Sequence, residues 1–260
     1  MSSVEAKILR AKEHFAQVLN EIDQWIGNGA HTAVYERNED GDQHYLRAKL
    51  TGTAPPVERW ALLLGDGMTN LRDSLDHLIY QLSNTDPENP THPKAAFVIV
   101  QEPSSFSGEA KRKLANISGT TRAAVEAFQP YNRPHPIVAP SLLGVLSSFA
   151  ITNKHKLLLP VFAVPSSLRF SVDTKGPSRG RYAIPRGSIE DGSIFFVYET
   201  DKPEPGTTIT FDKLAIDIGL VHQTVATVPP HLAGKSPTRL IVPALIQEVE
   251  EAINSVRASV

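Results

Sequence analysis

Between Trp60 and Leu82 the large apolar residues Trp60, Leu64, Met68, Leu71, Leu75, Leu78 and Leu82 recur at intervals of three and four. An α-helix turns about 100° per residue, so this spacing lays one unbroken apolar stripe along a helix, whereas a strand would scatter it over both faces. The stripe predicts a helix from near Pro55 to about Leu82 that must bury one side against other helices. Asp66, Asn70, Asp73 and His77 fall together roughly opposite the stripe, and Arg72 lies between the two, nearer the rim. The polar groups of this helix are therefore expected to point away from the core.

The same period recurs in residues 3 to 27, through Ile8, Phe15, Val18, Leu19, Ile22, Trp25 and Ile26. Ser2 and Glu5 have capping-box spacing, and Gly27 with Gly29 supplies a stop. HTAVYERN and QHYLRAKLT flank an EDGD turn, which predicts a hairpin with Asp40-Gly41 at its tip. After a loop rich in Pro and Asn, the run AAFVIV precedes two modest helices near 104 to 116 and 121 to 128. QPYNRPHP is too rich in proline to be helical. A further helix is expected at about 140 to 155, with Leu142, Leu143, Leu146, Phe149 and Ala150 on one side and Asn153 continuing it.

Beyond Pro160 the texture changes to VFAV, LRFSVD, RYAIP, SIFFVYE and TTITF, separated by Gly, Pro and Ser. These runs predict a mostly antiparallel sheet of four to five strands. Helical spacing returns from Pro243 to Val256. The fold class expected is α+β: a helical bundle with an N-terminal hairpin in residues 1 to 157, an antiparallel β layer in 158 to 218, and a helix in 219 to 260 that rejoins the bundle.

Composition narrows the chemistry. The formal net charge of −2 argues against a surface coated with positive charge for long nucleic acid, while leaving room for a local basic patch. The absence of cysteine excludes a thiolate nucleophile, a disulfide framework and a cysteine-built zinc site. MSSVEAKILRAKEHF lacks the basic start and apolar run of a signal peptide, and no stretch reaches roughly 18 consecutive apolar residues. A cytoplasmic location without a membrane contact is the expectation.

The segment Arg72-Asp73-Ser74-Leu75-Asp76-His77 carries the chemistry. Arginine and histidine separated by four residues on a bundle helix resemble the R-x4-H motif of HEPN domains, many of which are metal-independent endoribonucleases. The resemblance implies that His77 is general acid or base, that Arg72 stabilises the charged phosphorane, and that Asp73 orients the imidazole. It also implies an RNA substrate, a homodimer whose two motif helices complete one site, no cofactor, and a role in defence or stress. Against it stands the plain reading of a solvated helix face on which Asp73 and His77 pair across one turn. From GDGMTNLRDSLDHLIYQL through AFVIV and QPY to NKHK, residues 65 to 156, the chain is similar to a group of bacterial proteins without an assigned activity. In that group an Asp-Lys-His-Arg stretch stands where this chain has Asn153 and Lys156.

Around the motif, Asn70, Asn153, His155 and Lys156 are candidate phosphate-holding residues. Tyr131, Arg133 and His135 in QPYNRPHP are candidates to rim a cleft and stack on bases. Lys175, Arg179, Arg181 and Arg186 lie in a run without an acidic residue until Glu190, which suits a phosphate backbone or a solvated loop. The G-x-S-x-G of residues 176 to 180 lacks the strand-turn-helix setting of a serine hydrolase, and no phosphate-binding glycine loop is present. Two alternatives stay open: a non-enzymatic ligand- or protein-binding scaffold, and a metal-dependent hydrolase built on Asp73, Asp76, His77 and His155, although no known ligand spacing supports the metal.

Overall fold

The computed structural model describes residues 2–28, 31–50, 54–85, 92–133, 141–155, 161–173, 178–182, 191–200, 208–221 and 235–260. The protein is α+β. In chain order the elements are α1 (Ser3–Gly27), β1 (His31–Arg37), β2 (Gln43–Leu50), α2 (Val57–Ser83), α3 (Pro103–Lys113), α4 (Gly119–Ala127), α5 (Leu142–His155), β3 (Val161–Asp173), β4 (Ser178–Tyr182), β5 (Ile194–Thr200), β6 (Thr208–Val221), β7 (Lys235–Pro237) and α6 (Thr238–Ala258).

Two compact units result. One comprises residues 1–19, 58–160 and 220–260, and the other residues 20–57 and 161–219. In the first, the α2 stripe is buried as its period requires: Trp60, Leu64, Met68, Leu71 and Leu75 are sealed from solvent. Helix α1 runs antiparallel to α2, because Ser3 meets Gln81, Lys7 meets Asp73 and Phe15 lies against Gly67. Ion pairs Glu5–Arg257 and Lys12–Glu250 set α1 antiparallel to α6 as well. At the start of α1 the Ser2 hydroxyl donates to the Glu5 carboxylate, and this bond with the Arg257 contact holds Glu5 down at about 2.

Helix α6 begins at Thr238, five residues before the expected start, so Pro243 lies inside it. Proline removes one helical hydrogen bond there, but Thr238, Ile241 and Val242 are buried, and that burial outweighs the local cost. Helix α4 is capped by Ser118, whose hydroxyl accepts from the Thr121 N–H at 3.1 Å.

In the second unit the hairpin does not stand alone. It extends a four-stranded sheet of order β1-β2-β5-β4, antiparallel at every pair, with a bulge in β2 between Leu46 and Arg47. The later strands do not form one layer: β4 and β5 belong to this sheet, whereas β3 and β6 belong to another. The expected Asp40-Gly41 tip is present: Gly41 takes φ +76, and the Asn38 side-chain carbonyl accepts from the N–H groups of Gly41 and Gln43. Leu46, Phe196 and Tyr198 are buried on one face of this sheet with His44, whose Nδ1 is 2.7 Å from the Tyr35 hydroxyl, and Val197 is buried on the other.

Close approach of α1 and α2 hangs on Gly67, where a Cβ would stand 2.5 Å from Phe15 Cε1 and 2.7 Å from Phe15 Cζ. Gly67→Ala is predicted to destabilise the chain by about 1–3 kcal/mol through overpacking. Gly108→Ala in α3, with nothing within 4 Å of the added atom, is predicted to stabilise it by about 0.5–1 kcal/mol. Urea denaturation of the two variants checks the pair; equal midpoints would show that Phe15 yields freely.

Candidate functional site

Residues 95–100 form neither helix nor strand and lie against α2 without pairing into either sheet. Phe97 and Val98 are fully buried, so the peptide groups between them need partners that no strand supplies. Side chains provide them. Arg72 Nη2 donates to the Phe97 carbonyl at 2.6 Å and to Asp76 Oδ1 at 2.8 Å, while the Phe97 N–H donates to that same Asp76 oxygen at 2.9 Å. Further along, buried Gln129 donates from Nε2 to the carbonyls of Val98 and Val125 and accepts the Val100 N–H on Oε1. Hydrogen bonds with a charged partner, as with Arg72 and Asp76, are each worth about 1.5–3 kcal/mol.

Arg72 is thus occupied. Its side chain is 13% exposed, and Nη1 is buried without a hydrogen-bond partner. His77 follows five residues later, which on a helix turns it about 140° away from Arg72. It is partly exposed, and it makes no hydrogen bond or ion pair with any described residue. Asp73 shares the His77 side of the helix but pairs with Lys7 Nζ at 2.9 Å. The Asn70 amide donates to the Asp66 carbonyl one turn back. What α2 presents outward is therefore a Lys7–Asp73 ion pair beside a partly exposed imidazole, with the guanidinium directed at the Phe97 segment.

The QPYNR segment is likewise knit into the fold. Arg133 Nε reaches Glu248 Oε1 at 3.0 Å, its Nη2 donates to Glu251 at 2.9 Å, and its guanidinium lies 4.4 Å over the Phe128 ring. Burial pushes the Glu248 carboxyl up, with Glu251 adding to the effect and Arg133 opposing it. Glu251 is held down, first by the Gln247 hydrogen bond and then by Arg133. The Tyr131 hydroxyl donates to Glu126 at 3.3 Å, and burial raises its pKa.

Asn153 and His155 belong to α5, but their side chains fall outside the described residues, as do the whole of His135, Lys156, Lys175 and Arg186. Arg179 is exposed in β4, and Arg181 shares that strand with its side chain undescribed. Among the described residues no group of three His, Asp or Glu could hold a metal ion, and no helix is long and apolar enough to cross a membrane. Lys7, Asp76, Gln129 and Glu248 were not singled out from sequence as the partners of the motif residues. Only Asp76 carried a local signal, since it follows Arg72 at the i,i+4 spacing of a helical ion pair. No family model, curated protein or solved structure matches the chain.

Arg72→Ala is predicted to lower unfolding free energy by about 2–4 kcal/mol, because it strands the Phe97 carbonyl and leaves Asp76 without its cation. His77→Ala should stay within about 0.5 kcal/mol of wild type. Denaturant titration reads both, and equal effects would remove the bracket from the account of stability. For Glu248, a raised folded pKa means a contribution present below the unfolded value of 4.5 and lost as pH rises through the folded one. Glu248→Gln is therefore expected to gain on wild type as pH climbs above about 4.5. A stability difference that stays flat across that range would contradict this.

Proposed function

We propose that the chain works by binding a partner, as a non-enzymatic scaffold, rather than by cutting RNA. What supports this reading is the position of Arg72. A cation that stabilises a phosphorane must stand beside the general acid or base and be able to meet phosphate oxygens. Here the guanidinium is paired with Asp76 and donates to the Phe97 carbonyl, so its donors are taken up within the fold. Arg133 is engaged in the same way by Glu248 and Glu251.

Metal-independent RNA cleavage, the activity implied by the HEPN resemblance, is the second reading. Its support is His77, partly exposed and without a hydrogen-bond partner among the described residues, next to the Lys7–Asp73 pair. End-labelled single-stranded RNA incubated with excess protein, with and without EDTA, separates the two. Intact RNA in both conditions is the expected result. Cleavage that survives EDTA and disappears in His77→Ala would establish the nuclease, and cleavage abolished by EDTA would point to the metal-dependent hydrolase. His77→Ala is the informative variant because Arg72→Ala disturbs the fold.

A further inference from the structure

Strand β4 closes the four-stranded sheet: β5 lies along one of its edges, and no described strand lies along the other. An edge strand directs alternate backbone N–H and C=O groups away from its sheet, at the roughly 3.3 Å per residue rise that a second extended chain matches. The opposite edge, β1, is charge-balanced, with Glu36 next to Arg37 and bonded to Arg47 of β2 at 2.6 Å. Strand β4 has no acidic residue of its own, although Glu199 of β5 stands opposite Arg179. It reads Ser-Arg-Gly-Arg-Tyr within residues 174 to 189, a stretch without an acidic residue.

Register places Arg179 opposite Glu199 and Arg181 opposite Val197. Arg179 is exposed and makes no hydrogen bond or ion pair with any described residue. Gly180 separates the two, and there a Cβ would come within 2.9 Å of the Phe196 ring, so glycine lets this edge lie close on the buried aromatic. A strand with an exposed cation thus lies at the border of a sheet that has no further strand beside it among the described residues.

We infer that β4 is a docking edge for an extended acidic peptide of a partner protein, which adds a strand beside it and sets a carboxylate against Arg179. This names the partner of the binding reading above and rests on that reading. Cations alone would serve a nucleic acid equally well. The ladder decides for peptide, because only a polypeptide offers N–H and C=O groups in strand register.

The test uses the full chain and fluorescence anisotropy of a labelled peptide of alternating glutamate and threonine. Three further probes are a lysine-threonine peptide, the glutamate peptide N-methylated at every second residue, and oligouridine. The glutamate peptide is expected to bind, and N-methylation to weaken it by about tenfold or more by removing ladder donors. Arg179→Glu should also cost about tenfold or more. Should that variant fail to fold by circular dichroism, the N-methylated peptide still decides. Undiminished binding of the N-methylated peptide, tighter binding of oligouridine or of the lysine peptide, or no peptide binding at all would overturn the inference. In the last case RNA left intact keeps the scaffold reading standing, whereas RNA cleavage removes both.

Discussion

A segment that is neither helix nor strand, packed against a buried helix, brings polar peptide groups to a place where no backbone ladder serves them. Phe97 and Val98 are buried beside α2, and side chains of α2 and of the turn after α4 satisfy the peptide groups of Phe97, Val98 and Val100. Arg72 and Asp76 from α2 serve Phe97, and Gln129 from the turn after α4 serves the Val98 carbonyl and the Val100 N–H. An ion pair one helical turn long thereby acts as a surrogate strand. Because the carbonyl and the N–H of Phe97 go to different members of the pair, neither residue substitutes for the other.

That arrangement also explains why residues that look like chemistry lack the freedom to perform it. Arginine suits a buried polar bracket for the same reasons it suits phosphate: a permanent charge and several donors in fixed directions. A sequence shows the residue type and the spacing, and both uses call for the same ones. Arg133 repeats the lesson, since its guanidinium joins the turn after α4 to two carboxylates of α6 and lies over Phe128. Arg179 differs. It is exposed on an edge strand and without an ion partner among the described residues, so its charge is directed outward.

Much of the fold was legible because helical burial writes a period into the chain. The stripes of α1 and α2 gave their extents to within a few residues, and the Asp40-Gly41 turn gave the hairpin through the positive φ that glycine takes there. Boundaries governed by distant contacts were not legible. Helix α6 runs through Pro243 because Ile241 and Val242 are buried, and neither burial is visible locally. The hairpin's partner was equally hidden: β5 pairs with β2 across more than a hundred residues of intervening chain, and strand texture does not say which strands meet.

By itself the sequence determined the α+β class, the long amphipathic helices, the hairpin tip and the polar outer face of α2, all of which follow from short-range periodicity and turn stereochemistry. Tertiary structure alone decided where each charge would go: Asp73 to Lys7, Arg72 to the Phe97 peptide, Arg133 to Glu248. The physical reason is that an ionisable side chain reaches several ångströms, and its partner is chosen by whichever element the packing brings within that reach.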